Sequence, residues 1–344
     1  MKNMTVAKPI QVYRGDYLES SHNIHVAVVH TSGKVIATYG DSYRLTFARS
    51  SMKPFQALPV VKSGARKAFD ITDRELSLFC ASHSGEPFHR EAVAGVLKKI
   101  GLEESALQCG THVPRDRESY IELIKQGKEL TPYYSNCSGK HAGMLTSCVH
   151  QQLEVDTYRE IKHPYQQQII DEIATVSSFT NEAIATSVDG CGVPVHQLPL
   201  YHIALSFARL AQPDTWEEGQ VTDKQALREV CTAMTTYPEM VAGTDRFDTD
   251  LMQAFQGRIV AKGGAEGVHC FGDTEKGIGV AIKVEDGNGR GTSVAAMEVI
   301  RQLKIGSEAT RKKLKKHAAV PVTNARKETI GIIKPDFTLN HIQK

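Results

Sequence analysis

The sequence predicts an α+β fold in which one antiparallel sheet, formed by N- and C-terminal strands, packs against a helical region between them. Three observations predict it. Near the start, NIHVAVVH at 23–30 and KVIATYG at 34–40 alternate or run β-branched around a Thr-Ser-Gly-Lys turn. In the last third, RIVAK at 258–262, GVHCF at 267–271 and IGVAIKVE at 278–285 repeat the theme between glycine-rich turns. The long stretch between the two groups carries apolar residues at helical spacing. Strands show themselves by alternation because successive side chains face opposite sides, whereas helical faces recur every three to four residues. Strands from both ends then close one sheet, and the helices cover it.

The elements follow in order. After the first hairpin, Phe55, Leu58 and Val61 mark one face of a helix over 53–62. Pro59 should kink or break it, and Gly64 should stop it. Thr72 or Asp73 caps the next segment, which runs through Leu76, Leu78 and Phe79. Glu86–Ile100 ends at Gly101, a common helix terminus. Segments 142–153, 164–176 and 198–211 continue the helical region, and Thr292–Leu303 adds a helix after the last strand. No repeat or low-complexity linker divides the chain. The organisation is a single domain over 1–344. Its strands lie at about 10–48 and 256–286, its helical region at about 50–250 and its C-terminal helix at about 291–303. A charged tail, 312–344, is expected at the periphery. KKLKK at 312–316 reads as a solvated face rather than a binding patch.

Composition removes several function classes. A formal charge of +2 and a pI near 8.1 give no electrostatic case for nucleic acid or an anionic membrane. The opening MKNMTVAKPIQVYRGDY lacks a continuous apolar core, so no secretory signal is expected. No run approaches the ~18 apolar residues that suggest a membrane span. Seven widely spaced cysteines form no small-domain disulfide pattern, so reduced thiols in a cytoplasmic setting are expected.

Three segments offer chemistry. Ser50 and Lys53, in RSSMKP, lie three residues apart. On a helix this spacing puts hydroxyl and amine on one face. A lysine kept neutral by burial or by a nearby positive charge is a base for such a serine. The plainer reading is a helix cap followed by a surface lysine. Ser82, in CASHSGE, lies in a polar cluster at a break between helical patterns, where Ser84 could simply cap the next helix. Its other role is a second hydroxyl that relays a proton or attacks substrate. Lys262 ends a strand before Gly263 and Gly264, either as a charge beside an approachable backbone or as an exposed turn lysine. Were Lys262 close to Lys53, each would depress the other's amine pKa. Cys137 and Cys191 adjoin glycines but belong to no C-x-x-C pair, and spacing alone favours buried thiols over a metal site. By the same spacing His141 and His196 are satisfied polar residues before they are ligands.

Taken together and in order, RSSMKP, CASHSGE, NCSGKHAGM, DGCGVP and AKGGAEG closely resemble the L-asparaginase II family over about residues 10–303. That family is distinct from the two-domain threonine type and the self-cleaving plant type. The resemblance implies hydrolysis of asparagine to aspartate and ammonia on a serine β-lactamase/glutaminase-like fold. It implies a Ser50–Lys53 pair, a Ser82–Lys262 pair and a zinc site of Cys137, Lys140 and Cys191. Asp189 is then expected to meet the substrate ammonium, and Arg49 or His83 its carboxylate. The expected partner is the small molecule L-asparagine, and the expected assembly is a homodimer, the commonest oligomer. A glutaminase of the same fold differs by one methylene of substrate, worth only about 1–3 kcal/mol of discrimination. A penicillin-interacting protein would carry Lys-Thr-Gly and Ser-Asp-Asn, where this chain has Lys-Gly-Gly and no Ser-Asp-Asn. A thiol-based metal-binding protein is the non-enzymatic alternative.

Overall fold

The computed structural model describes residues 8–342, so the first seven residues of the opening segment lie outside the described chain. In chain order the strands are β1 (Ile10–Arg14), β2 (Tyr17–His22), β3 (Ile24–His30), β4 (Val35–Tyr39), β5 (Leu45–Phe47), β6 (Ala185–Val188) and β7 (Pro194–Pro199). They continue as β8 (Ile259–Gly263), β9 (Val268–Asp273), β10 (Ile278–Val284), β11 (Val320–Thr323), β12 (Thr329–Pro335) and β13 (Asn340–His341). The main sheet has the order β13-β4-β3-β10-β9-β8 and joins both ends of the chain as expected. β3 pairs antiparallel with β10, and Val28 faces Val280 in the register.

The structure departs from a single sheet. β11-β12-β1-β2 form a second sheet and β5-β7-β6 a third. The tail from 312 is therefore not merely peripheral: Ile333 of β12 pairs with Val12 of β1, and β13 forms the edge beside β4. β11 and β13 escape the pattern as short edges, and β12, though paired on both sides, is exposed or half-exposed along most of its length, which leaves little apolar alternation to read. Within KKLKK, Leu314 is buried, while Lys312 pairs with Glu308 in the open.

The helical region covers the main sheet. Helix Leu200–Ala211 is nearly all buried and lies on β9 and β10. Its close seat depends on glycine. A Cβ at Gly279 would meet the Ala204 carbonyl at 2.0 Å, and one at Gly272 the Phe207 carbonyl at 2.3 Å. Phe207 then meets Phe55 edge-on at 5.4 Å. A fully buried side chain of that size contributes about 1.5–3 kcal/mol, so the contact fixes the segment after Ser50 against the sheet.

The helix expected over 53–62 is broken, as Pro59 implies, into Lys53–Gln56 and Leu58–Lys62. Thr72, not Asp73, caps Asp73–Phe79 through a reciprocal box with Glu75. Helices Arg117–Lys125, Val221–Thr236 and Phe247–Phe255 are additions to the sequence reading. The second of these buries Leu227, Val230 and Met234 at i, i+3 and i+7, a helical stripe that the sequence reading passed over. Among the described residues no helix is long and apolar enough to cross a membrane.

Candidate active site

Two lysines meet one serine at the seam between sheet and helices. Lys53, buried in the turn after the first strands, donates to the Ala81 carbonyl and to Ser82 Oγ at 3.0 Å. Lys262, near the end of β8, donates to the same Ser82 Oγ at 3.0 Å and to the Gly263 carbonyl at 2.6 Å. Ser82 follows helix Asp73–Phe79, and its own N–H is fixed on the Val241 carbonyl at 2.8 Å. Burial pulls the Lys262 amine down to about 7; Asp248 opposes the fall, and the charges of Lys53 and Arg115 add to it.

Ser50 lines the same cleft of about 530 Å³ as Ser82 and Lys262. The expected Ser50–Lys53 hydrogen bond does not form. Ser50 belongs to a tight turn, Arg49–Met52, that starts from a left-handed Arg49 (φ 52°). The Lys53 amine runs inward instead and is occupied by Ala81, Ser82 and Cys137, whose Sγ lies 3.2 Å away.

The residues expected at the ends of the substrate are engaged elsewhere. His83 is fully buried; its Nδ1 accepts the Gly85 N–H at 3.1 Å, which leaves Nε2–H to donate to Ser138 Oγ at 2.9 Å. Its role is to hold the Ser82 segment against the helix that starts at Ser138, and burial keeps its pKa well below the ordinary value. Arg49 Nε donates to Asp189 Oδ1 at 2.9 Å, so these two satisfy each other, and neither lines the cleft.

Sequence reasoning missed Asp248. Buried at the start of helix Phe247–Phe255, it accepts the Gly263 N–H and the His269 Nε2–H, both at 2.8 Å. Burial alone would raise its carboxyl, but the hydrogen bond and charge of His269 carry it well below the ordinary range. It thus pins the strand end beside Lys262. An isolated aspartate in FDTD offers no local signal of this.

The structure brings Cys137, Lys140 and Cys191 together. The hairpin turn between β6 and β7, with Gly192 at φ 84°, presents Cys191. Helix Ser138–His150 brings Lys140 to within 3.0 Å of Cys191 Sγ. That helix lies close because Gly139 and Gly143 share one face. A Cβ on Gly139 would meet the Leu78 carbonyl at 2.4 Å, and one on Gly143 the Phe79 ring at 2.7 Å. A hydrogen bond from the Cys137 sulfur, then Lys140, holds the Cys191 thiol far below its ordinary value against burial. The same bond, then burial, pushes Cys137 well above its own. Burial would lower the Lys140 amine, but Cys191 and Cys137 outweigh it and raise it. The result is a thiolate–ammonium pair beside a protonated thiol.

That donor set fits a soft metal ion. Two sulfurs and an amine converge in a dry site, and the buried imidazole of His141 adjoins Cys191. Among the described residues no three His, Cys, Asp or Glu side chains gather as a metal site, so the third ligand would have to be the lysine.

The family model for L-asparaginase II matches residues 10–335. The chain belongs to the L-asparaginase II family. No curated protein matches the sequence. Among solved structures, this family member is similar to Mglu in its native form, at 13% identity and a TM-score of 0.47 over 83% of this chain and 62% of that one. The chain therefore spans less than two thirds of that Mglu chain. It is also similar to a β-lactamase from Mycobacterium bovis, at 15% identity and a TM-score of 0.40, over 77% of this chain and 88% of the other.

Proposed function

We propose that this protein is an amidohydrolase that converts L-asparagine to L-aspartate and ammonia through an acyl-enzyme on Ser50. Family membership supports the reaction class. One observation carries the mechanism: Ser82 Oγ lies 3.0 Å from each of two buried lysine amines, with Ser50 uncommitted in the same cleft. With the Lys262 amine neutral, Ser82 accepts from Lys53, donates its own proton to the Lys262 lone pair and keeps one lone pair for the Ser50 proton. Such a group passes protons better than it attacks. Ser50 keeps its lone pairs for the amide carbon.

In this scheme the Ser50 proton moves to Ser82 as the C–O bond forms, and Ser82 passes its own to neutral Lys262. The reverse transfer protonates the leaving nitrogen as the C–N bond breaks. Water then repeats the sequence on the aspartyl ester, which releases aspartate and restores Ser50. Lys53 fixes Ser82 and supplies positive charge. Cys137, Lys140 and Cys191 would hold zinc, which when bound supplies a Lewis-acidic charge and stiffens the pocket wall. A homodimer in a reducing, cytoplasmic setting completes the proposal; the described cysteines are all free, as such a setting requires.

Ammonia release from asparagine and glutamine by wild type, Ser50→Ala and Ser82→Ala tests the reading. Mass spectrometry of the trapped acyl-enzyme should place the adduct on Ser50. An adduct on Ser82 alone would reverse the two roles, and absent turnover of asparagine would end the substrate assignment.

A further inference from the structure

The cleft carries two guanidinium groups that the sequence analysis passed over. Arg115 and Arg246 line it together with Ser50, Ser82 and Lys262. The Nε of Arg246 is buried without a hydrogen-bond partner. Buried donors are rarely left unpaired, so this one needs an acceptor from elsewhere. The acidic side chains of the cleft are turned to other cations. Asp245 faces Lys316 at 3.4 Å, Asp248 faces His269, and Glu266 lies 4.0 Å from Arg49. Arg115, exposed at the rim, is still crowded enough by protein, and by the charge of Arg246, to titrate below its ordinary value. Two like charges turned toward one space favour an anion between them.

Both arginines are also held in register with the segment that carries Ser82. The Ser84 carbonyl accepts the N–H of Asp116, the residue after Arg115, at 2.9 Å. The Ser84 hydroxyl donates to the Ala242 carbonyl at 2.9 Å, and Glu86 accepts the N–H and the hydroxyl of Thr244 at 2.8 Å each. Gly243, at φ 113°, has no room for a Cβ, which would fall 2.6 Å from Ser84 Oγ. Asp245, just before Arg246, is itself left-handed at φ 57°. A backbone so constrained beside a cleft is characteristic of a positioned site.

We infer that Arg115 and Arg246 form a clamp for the substrate α-carboxylate, and that this clamp restricts the enzyme to free amino acids over asparagine within a peptide. The inference rests on the asparaginase reading and takes the role first expected of Arg49 or His83. A planar carboxylate would receive paired N–H donors and satisfy the orphaned Nε. Ser84 and Glu86 act as positioning residues for both loops.

The test has two arms. In the first, asparagine and its α-amide are compared as substrates of wild type, Arg115→Gln, Arg246→Gln and Arg246→Lys. Loss of one partner of such a charge pair should cost about 30-fold, mostly in KM, and should erase the preference over the α-amide. Arg246→Lys, which keeps charge without the fork, should fall between. In the second arm, calorimetry measures L-aspartate binding to the same proteins, independently of turnover. Should Arg246→Gln not fold by circular dichroism, Arg115→Gln on the rim carries the test. Unchanged KM and unchanged aspartate affinity in the glutamine variants overturn the clamp. A wild type that binds aspartate through these arginines but leaves asparagine intact overturns the substrate assignment and keeps the clamp.

Discussion

Replacing Lys262 with methionine should abolish turnover and make the protein more stable. The amine is buried at the end of β8, and its pKa falls from the ordinary 10.5 to about 7. For a lysine this sign means that folding disfavours the charged form. The gap between 10.5 and about 7, at about 1.4 kcal/mol per pH unit, amounts to about 5 kcal/mol of destabilisation. That penalty is fully present below about pH 7, shrinks as pH rises, and vanishes above 10.5, where the unfolded chain also loses its proton. Methionine keeps the length and apolar stem without the charge. It forfeits hydrogen bonds to Ser82 and the Gly263 carbonyl, at about 1 kcal/mol each. The net expectation near pH 7 is about 2–3 kcal/mol of added stability. Urea titrations of both proteins between pH 6 and 10 provide the assay. Fluorescence of the single tryptophan, Trp216, buried beneath the Arg209 guanidinium at 4.3 Å, reports unfolding. The advantage of Lys262→Met should decline steadily as pH rises. A variant less stable than wild type at pH 7, or an advantage flat across the range, would refute the claim that Lys262 is a strained, half-neutral amine.

Other expectations follow from the same geometry. The proposed asparaginase activity should rise with pH through about 7 as Lys262 loses its proton, and Asp248→Asn should move that midpoint down, because Asp248 raises the Lys262 pKa; an upward shift in the rate profile would contradict this. Zinc added to metal-free protein near neutral pH should release protons, since Cys137 and Lys140 hold theirs until a metal displaces them; an unbuffered titration that shows zinc uptake without acidification would speak against this ligand set. Gly279→Ala should cost about 1–3 kcal/mol or more, because its Cβ would collide with the Ala204 carbonyl at 2.0 Å; a thermal midpoint equal to wild type would remove the argument for backbone contact there.

How much of this could be read in advance depended on whether the signal was local. Hairpin β3–β4 and strands β8 to β10 announce themselves through β-branched runs and turn residues. Pro59 and the Thr72 box mark helix boundaries through side chains only a few residues away. Ser50, Lys53, Ser82 and Lys262 stand out because their motifs are short; Ser50, Ser82 and Lys262 line one cleft, whereas Lys53 stays outside its lining and turns its amine to Ser82. That choice could not be read, because it depends on where Ala81 and Cys137 lie in space. Asp248, Arg115 and Arg246 are harder still. Each acts from a stretch without pattern, and each matters only through neighbours far along the chain. The tail strands were missed for another reason. Two of them are short edges, and β12 is exposed or half-exposed along most of its length, so they carry almost no periodic signature.

The pairing of β3 with β10 joins residues 28 and 280 at the middle of the main sheet. A ribosome must therefore deliver most of the chain before that sheet can close. Until then β3 and β4 lack their neighbours in the sheet, and helix Leu200–Ala211 can meet only β3 of the main-sheet strands it packs on. Contacts this distant in sequence make folding slow and leave apolar surface exposed during synthesis. Lys262 reaches Ser82 only at the end of that process, so the nascent chain gains its reactive cluster last, when there is already a closed core to hold it.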